Sequence, residues 1–424
     1  MELTNLNLPK NWRILPIREA YSFTKKPRGL SVDANATVHF LPMDMIPLGH
    51  LFVSEFEERR GGAITSGTYI ENGDLLVAKI TPSFENGKQA IVDWKEPFGF
   101  ATTEVIPIQE IEGVSDKQYL FHLLLHPAIR SDLAGKMDGT TGRQRLSKEV
   151  LGSRLIPLPP LPEQQKIAAV LGLVQRAMEQ QERLLAQTAE LKKTLLHQLF
   201  THGLHNEPQK QTEIGQMPNS WNPTPLGVCC DILSGSLSYT DFVRIASSKE
   251  SNCVDCMGVK VSDMNLLGNE TAFVNANLVK RLPLTVAERK LVPKDTIVFP
   301  KRGAAIATNK KRITTTWTVL DPNLIGLKPR EILLDARFLF YWAQTFDLKR
   351  ITDPGATPQL NKKDLIPVLL PLPPTVSEQQ EIASALLAVD KKADSLRRKC
   401  VALGSVFRTL LHELMTAKIK LSSD

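Results

Sequence analysis

The sequence predicts an α/β (α+β) protein in which two globular domains, related by pseudo-twofold symmetry, are joined by two long antiparallel helices forming a coiled coil. The first observation behind this fold class is an internal repeat, because the segment Leu158–Ala168 recurs as Leu372–Ala383. The second is that a long segment of helical periodicity follows each copy. Since the repeating unit has about 210 residues, far more than a solenoid unit, the repeat indicates two domains rather than an array.

The repeat extends over almost the whole chain and fixes the predicted domain boundaries. Trp12 corresponds to Trp221, and Asp116–Phe121 corresponds to Asp335–Phe340. We expect a twisted sheet with flanking helices in each globular domain. The predicted segments are a first globular domain at 1–156, a first long helix at 157–204, a linker at 205–213, a second globular domain at 214–370 and a second long helix at 371–420.

The two long helices are predicted from heptad seams. In the second helix, apolar or small residues recur every three or four positions, which is the spacing of a coiled coil. The equivalent positions of the first helix are apolar at both ends and polar at three places between them. Pro162 and the capping box Ser377–Gln380 place the helix starts near 163 and 378. The seams are Ile382, Leu386, Val389, Ala393, Leu396, Cys400, Leu403, Phe407, Leu410 and Leu414, and, 215 residues earlier, Ile167, Leu171, Val174, Met178, Gln181, Leu185, Thr188, Lys192, Leu195 and Leu199.

Connectivity predicts that these helices pair antiparallel. The first helix would span roughly 60 Å, so the second domain folds at its far end and the second helix runs back along it. The alternative is that each helix packs only on its own domain, but a seam this long exceeds what a domain-capping helix needs. If each domain contacts a few base pairs of DNA, the paired helices would separate the two half-sites by about one to two duplex turns. Because the domains differ in sequence, such a site would be asymmetric and split.

Composition is typical of a globular protein of a reducing compartment. Hydrophobic residues make up 42% of the 424 residues and charged residues 23%, which excludes a disordered chain or a fibre. The start of the chain lacks a basic head and an apolar run, and no later stretch is long enough to span a membrane. The five cysteines are few and odd in number, so we expect reduced thiols and a cytoplasmic location. A net charge of +7 permits a polyanionic partner without establishing one.

The Leu-Pro-Pro signature, which leads twice into Glu-Gln-Gln and a long helix behind a variable globular region, resembles the specificity subunit of type I restriction-modification systems. The resemblance covers roughly residues 10–418. It implies that the globular domains are target recognition domains and that the long helices are their shared spacer. It further implies that the chain binds double-stranded DNA at an asymmetric bipartite site and joins two methyltransferase subunits for adenine methylation and, for cleavage, restriction subunits.

The resemblance also implies that this chain has no catalytic residue and binds no cofactor or metal, with S-adenosylmethionine, ATP and Mg on the partner subunits. The sequence agrees, since it contains neither a Gly-x-Gly-x-x-Gly nor a Walker motif. Asp321-Pro322-Asn323 lacks the second proline and the aromatic residue of an amino-methylation motif. Chemistry would therefore belong to the partners.

Four loops that mix basic residues with Gly, Thr, Asn and Gln are the candidate DNA contacts. Arg and Lys bind phosphates, and Arg, Asn and Gln make paired hydrogen bonds to guanine or adenine. The alternative is that these residues form a solvated face. The candidates are Lys79, Thr81, Ser83, Asn86, Lys88, Thr140, Arg143, Gln144 and Arg145 in the first domain, and Lys301, Arg302, Asn309, Lys310, Lys311, Arg312, Thr357, Gln359, Asn361 and Lys362 in the second.

The starts of both long helices are the predicted docking surfaces for partner subunits, because a repeated surface suits two copies of one partner. The alternative is that these polar faces are solvated. The residues concerned are Glu163, Gln164, Gln165, Glu378, Gln379 and Gln380.

Two other functional classes compete with DNA recognition. One is a cytoplasmic coiled-coil scaffold whose end domains bind proteins. The other is an enzyme with a metal site built on Asp74 and Lys79, or on Asp295 and Lys301. A zinc site at Cys253 and Cys256 is disfavoured, because no second Cys-x-x-Cys pair exists.

Overall fold

The computed structural model describes residues 8–140, 142–249, 252–353 and 358–421. The chain divides into two compact units. Unit 1 contains Met1–Leu184 and Leu396–Asp424, and unit 2 contains Leu185–Ser395. Each unit therefore holds one globular domain, the first part of the long helix that follows it, and the last part of the other long helix.

Unit 1 is built on two small sheets. The elements up to the first long helix are β1 (Arg13–Pro16), α1 (Ile17–Ala20), β2 (Tyr21–Phe23), β3 (Thr37–Leu41), β4 (Glu57–Arg60), β5 (Thr68–Glu71), β6 (Leu75–Ala78), β7 (Gln89–Ile91), β8 (Phe98–Ala101), β9 (Val105–Glu110), α2 (Lys117–Leu125), α3 (Pro127–Ala134), β10 (Asp138–Thr140), β11 (Arg143–Arg145), α4 (Lys148–Ser153), β12 (Leu155–Leu158) and α5 (Leu161–His202).

The strands of unit 1 pair in the orders β2-β9-β6-β7 and β4-β3-β8-β5. Strand β6 consists of four fully buried apolar residues, as expected of a central strand covered on both faces. Asp116 caps the start of helix α2, and its carboxylate accepts a hydrogen bond from the backbone N–H of Tyr119 at 2.7 Å. Two further strand pairs, β1 with β12 and β10 with β11, flank this core.

Unit 2 repeats this plan with different sequences. Its elements are β13 (Gln209–Thr212), β14 (Gly215–Pro218), β15 (Asn222–Pro225), α6 (Leu226–Cys229), β16 (Cys230–Leu233), α7 (Tyr239–Arg244), β17 (Cys253–Val259), β18 (Ala272–Phe273), β19 (Leu278–Pro283), α8 (Leu284–Lys290), β20 (Ile297–Pro300), β21 (Arg312–Thr314), β22 (Thr318–Leu320), β23 (Leu324–Pro329), α9 (Ala336–Thr345), α10 (Lys362–Leu365), β24 (Leu369–Leu372) and α11 (Val376–Met415).

The main sheet of unit 2 has the order β16-β23-β20-β21-β18, and β19-β17-β22 form a second sheet. The first four strands of that main sheet correspond to β2-β9-β6-β7 of unit 1. Strand β15 pairs with β24 as β1 pairs with β12. Both globular domains are thus mixed α and β structures, as predicted.

The two long helices, α5 and α11, begin at Leu161 and Val376, two residues before the predicted starts. None of the ten seam positions predicted in either helix is solvent-exposed. In unit 1, Leu171 near the start of α5 shares an apolar core with Leu411 and Leu414 near the end of α11. Unit 2 shows the reverse arrangement, in which Leu199 shares a core with Ile382.

The start of one long helix therefore lies beside the end of the other in each unit, which is the antiparallel pairing that connectivity predicted. The alternative, in which each helix packs only on its own domain, is wrong. Among the described helices, none has the length and apolar character needed to cross a membrane.

Candidate nucleic-acid interface

The two predicted loops of unit 1 lie side by side. The backbone N–H of Leu146 donates to the carbonyl of Lys79 at 2.7 Å, and that of Thr81 donates to the carbonyl of Gln144 at 3.0 Å. Leu146 is fully buried and anchors the second loop in the core. We call residues 79–88, 138–140 and 142–146 together the first loop pair.

The loops of unit 2 meet through equivalent bonds. The backbone N–H of Leu360 donates to the carbonyl of Lys301 at 2.9 Å, and that of Gly303 donates to the carbonyl of Pro358 at 2.8 Å. Leu360 is fully buried, like Leu146. Residues 301–312 and 358–363 form the second loop pair. The backbone therefore builds the same junction in both units, although the side chains differ.

A buried arginine holds the turn of the first loop pair. The Arg130 guanidinium is 8% exposed and donates to the carbonyl of Phe84 and, at 2.8 Å, to that of Leu124. It also donates to Gln89 Oε1 at 2.7 Å. Burial lowers the pKa of Arg130 to about 10, so the side chain stays charged at neutral pH. On this turn Lys79, Thr81, Ser83 and Lys88 are half-buried, and Asn86 is exposed.

Strands β10 and β11 form an exposed hairpin in the first loop pair. Gly139 has φ 137°, and a Cβ there would lie 2.6 Å from the carbonyl oxygen of Arg143, so this close strand approach requires glycine. Thr140 and Arg143 face each other across the hairpin and are exposed, and Gln144 is half-buried. Two candidate contacts thus project from a short hairpin whose backbone is fixed.

Arg145, the last residue of the hairpin, forms a bidentate ion pair with Glu104. Its Nε and Nη2 donate to the Glu104 carboxylate at 3.0 and 2.8 Å. This hydrogen bonding to Arg145 lowers the pKa of Glu104, which is therefore ionised. The carbonyl of Glu104 accepts from the backbone N–H of Lys79 at 2.9 Å. Glu104, which sequence reasoning missed, consequently touches both loops.

Part of the second loop pair is structural rather than exposed. Lys311 is 3% exposed, and its Nζ donates to the carbonyl of Phe346 at 2.7 Å and to Asn309 Oδ1 at 2.6 Å. Burial lowers the pKa of Lys311 to about 8. The prediction that Lys311 contacts DNA is therefore corrected, because its charge is turned inward. Asn309, at φ 52°, belongs to the same internal network.

Arg312 is likewise tied to the protein, since its Nη1 and Nη2 donate to the carbonyls of Lys311 and Met264 at 2.7 and 2.9 Å. Lys310 is half-buried and donates to Asn265. Neither side chain is freely presented, unlike the exposed Arg302.

The segment 358–363 presents polar groups beside Arg302. Gln359 and Asn361 are half-buried, and Gln359 Nε2 donates to Asn361 Oδ1 at 2.8 Å. The backbone N–H of Asn361 donates to Asp364 Oδ2 at 2.8 Å, which fixes the start of α10. Lys362 is exposed, and Lys301 is half-buried. Thr357, also predicted as a contact, lies outside the described residues.

Comparison with known protein families gives one match in each half of the repeat. A family model described as type I restriction modification DNA specificity domain matches twice, at residues 61–187 and 260–401. The two matches together cover more than half of the chain, and each includes one loop pair and the start of the long helix behind it. The chain belongs to this family.

Specificity subunits from other organisms align with this chain over most of their length. The type I restriction enzyme MjaVIII specificity subunit of Methanocaldococcus jannaschii is 22% identical over 100% of this chain and 96% of its own. A putative MjaX specificity subunit of the same organism is 25% identical over 83% of this chain and 79% of its own. The crystal structure of a type I S subunit from M. genitalium has the same fold, with a TM-score of 0.61, 15% identity, and coverage of 97% of this chain and 96% of that one.

The Glu-Gln-Gln starts of the long helices in these two specificity domains have an intrachain role. Trp12 Nε1 donates to Glu163 at 3.1 Å in unit 1, and Trp221 Nε1 donates to Glu378 at 3.0 Å in unit 2. The repeated tryptophan and the repeated glutamate are thus partners, which their recurrence alone did not reveal.

The first glutamine of each motif is buried in its own unit, contrary to its predicted exposure to a partner. Gln164 accepts from the backbone N–H of Asp116 at 3.0 Å and donates to the carbonyls of Val114 and Pro159. Gln379 accepts from the N–H of Asp335 at 2.8 Å. A buried amide must satisfy its own groups, and these two do so by joining the long helix to α2 or α9. The last glutamines, Gln165 and Gln380, are exposed and remain predicted docking residues.

The residues proposed for an enzyme site are not brought together. Asp74 is fully buried and accepts from Thr24 Oγ1 at 2.6 Å, and it precedes β6, whereas Lys79 follows that strand. Asp295 and Lys301 likewise flank β20. Cys253 and Cys256 lie three residues apart on one strand, so they face opposite sides of it. Among the described residues, no group of three His, Cys, Asp or Glu side chains is placed to hold a metal ion.

Proposed function

We propose that this chain is the DNA sequence-recognition subunit of a type I restriction-modification complex. The observation that carries the proposal is the pair of loop junctions, which have the same backbone bonds but different exposed side chains. A fixed backbone presenting variable polar groups suits base recognition, because base edges are distinguished by the position of donors and acceptors.

In this proposal each loop pair contacts one half of a split duplex site. Arg143 and Arg302, both exposed, bind phosphates and fix the orientation of each domain. The half-sites differ because the loop pairs differ. The paired long helices set the number of base pairs between the half-sites, because a helix pair of fixed length holds the two domains apart.

The chemistry of the complex is assigned to other subunits. The chain positions two methyltransferase subunits, which bring S-adenosylmethionine, and restriction subunits, which bring ATP and Mg, over the DNA. Gln165 and Gln380 are the docking residues supported by exposure. The names of the curated relatives, which call them specificity subunits of restriction enzymes, support this division of labour.

The test is selection of duplexes from a randomised library by the full chain, alone and in the complex isolated from its host through a tag on this chain. We expect two short specified blocks separated by an unspecified gap of constant length. Binding should weaken steeply as salt rises, because phosphate contacts release counterions. Enrichment of no sequence in either sample would contradict the proposal.

The scaffold alternative makes a different prediction in the same experiment. A scaffold whose end domains bind proteins would show no salt-dependent duplex binding, whereas protein partners would still be isolated with it. Incubation of the purified chain with S-adenosylmethionine and an enriched duplex should yield no methylated adenine until the co-isolated subunits are added. Methylation by the chain alone would overturn the assignment of chemistry to the partners.

A further inference from the structure

Arg145 and Gln359 occupy equivalent places in the two loop junctions. Each directly precedes the buried leucine that anchors its loop, Leu146 or Leu360. Arg145 pairs with Ile80 in a backbone bridge, and Gln359 pairs with Arg302 in the equivalent one. The same backbone position therefore carries an arginine in unit 1 and a glutamine in unit 2.

Glu104 holds the Arg145 guanidinium by one edge. The carboxylate accepts from Nε and Nη2, and the Arg145 side chain is 51% exposed. A guanidinium has five N–H groups, so this edge uses two of them. The remaining edge, formed by Nη1 and the second N–H of Nη2, has the parallel donors that match O6 and N7 of guanine.

Asn361 holds the Gln359 carboxamide in a similar way. One N–H of Gln359 Nε2 is bound to Asn361 Oδ1 at 2.8 Å, and Asn361 is itself fixed at the start of α10. The second N–H and Oε1 of Gln359 have no hydrogen bond to the described part of the chain. A donor beside an acceptor is the pattern that matches N7 and N6 of adenine.

We propose that Arg145 recognises a guanine in one half-site and Gln359 an adenine in the other, with Glu104 and Asn361 as positioning residues. The proposal rests on the proposed function and names the chemistry of its two contacts. Side chains held in one geometry before binding lose less conformational freedom on contact, which favours recognition of one base over the others.

Charge argues that Arg145 contacts a base rather than a phosphate. The Glu104 carboxylate cancels the charge of the guanidinium and would repel a phosphate placed nearby. An uncharged base edge is not repelled. Gln359 has no charge, so it too gains little from a phosphate. Exposed arginines without such a carboxylate, such as Arg302, suit the phosphates better.

The experiment repeats the library selection with Arg145→Ala, Glu104→Gln and Gln359→Ala in the full chain and its complex. For Arg145→Ala we expect the preference for guanine at one position of one half-site to fall by about 10-fold or more, with the other half-site unchanged. Gln359→Ala should remove a preference for adenine in the other half-site only.

Glu104→Gln separates positioning from charge. It should weaken the same guanine preference by a smaller factor, while affinity for random duplex DNA rises because a negative charge is lost. A merely structural role for Glu104 would instead lower the melting temperature and affect all positions equally, and that result would overturn its assignment.

Lys117→Ala and Lys328→Ala control for the loss of a positive charge in Arg145→Ala, one in each unit. Strands β9 and β23 begin beside the two loop junctions, and each lysine lies near the far end of one of them. There Lys117 pairs with Glu110, and Lys328 pairs with Glu331. Both should leave the selected sequence unchanged.

The outcomes separate the two proposals. If the unmodified chain selects no sequence, the proposed function fails. If it selects a split site but Arg145→Ala and Gln359→Ala leave every position unchanged, or weaken all positions alike, the base assignments fail and the proposed function stands.

Discussion

The two units pack their long helices against α2 or α9 through equivalent positions, but an ion-paired polar network occupies these positions only in unit 2. In unit 2, Asp390 of α11 forms an ion pair with Lys192 of α5 at 2.7 Å and accepts from the Tyr341 hydroxyl at 2.9 Å. Burial and the neighbouring Asp390 raise the pKa of Tyr341 well above its usual value. Unit 2 therefore joins three elements through one polar network.

Unit 1 has His122, Gln175 and Phe407 at the equivalent positions. His122 is fully buried, and neither of its ring nitrogens has a hydrogen-bond partner among the described residues. Burial lowers its pKa to about 3, so the imidazole is neutral at ordinary pH. The difference teaches that the repeat preserves the geometry of the helix pairing but not the forces that stabilise it.

The largest effect is expected from breaking the polar network of unit 2. Asp390→Ala leaves the mostly buried Lys192 ammonium and the Tyr341 hydroxyl without their partner, which should cost about 3 kcal/mol of unfolding free energy. Gln175→Ala is the matched change in unit 1 and should cost about 1 kcal/mol. Hydrogen exchange resolved for each unit measures both. Equal losses would show that the network is not special to unit 2.

A second prediction concerns the buried glutamine that joins the long helix to α2 in unit 1 and to α9 in unit 2. Gln164→Ala and Gln379→Ala each leave the half-buried backbone N–H of Asp116 or Asp335 without its partner and remove a buried carboxamide, so each should cost about 2 kcal/mol in its own unit. The variants Gln165→Ala and Gln380→Ala, at exposed neighbouring positions, serve as controls and should change stability by less than about 0.5 kcal/mol. Thermal and chemical denaturation provide the measurement, and a markedly smaller loss in one unit would mean that the joint is not equivalent.

The smallest expected effect is a pH dependence confined to unit 1. The folded pKa of His122, about 3, lies below its ordinary value of 6.5, so protons bind the unfolded chain first as pH falls. Stability is present in full above pH 6.5 and is lost toward pH 3. Between pH 6.5 and 5 the loss should be about 2 kcal/mol at most.

His122→Phe isolates this contribution. The variant should lose less stability than the unmodified chain over the same pH range, as measured by exchange in α2. Unit 2, with Tyr341 at this place, is the internal control. A pH dependence unchanged by the substitution would assign it to other groups, such as His126, whose pKa burial lowers to about 4.

Sequence reasoning predicted the elements that repeat. The heptad seams and the antiparallel pairing both follow from patterns that occur twice. Burial of single polar residues was not predictable in this way. Lys311 and Gln164 look like ordinary surface residues, because only the tertiary structure supplies the carbonyls and amides that bind them.

Partners from distant parts of the chain were also missed. Glu104 lies 41 residues before Arg145, and no local spacing links the two. The equivalent place in unit 2 is held by Asn323, whose carbonyl accepts from the backbone N–H of Lys301, as Glu104 accepts from Lys79. The two units share only this backbone interaction. Comparison of the two halves of the sequence therefore gives no signal for the ion pair between Glu104 and Arg145.

The backbone junctions have an evolutionary consequence. Since main-chain hydrogen bonds and a buried leucine fasten each loop, substitutions at positions 145 and 359 need not disturb folding. Each half of the target could then drift separately, one residue at a time, while the other half and the assembly with partners are kept. New target sequences would thereby arise without rebuilding the molecule.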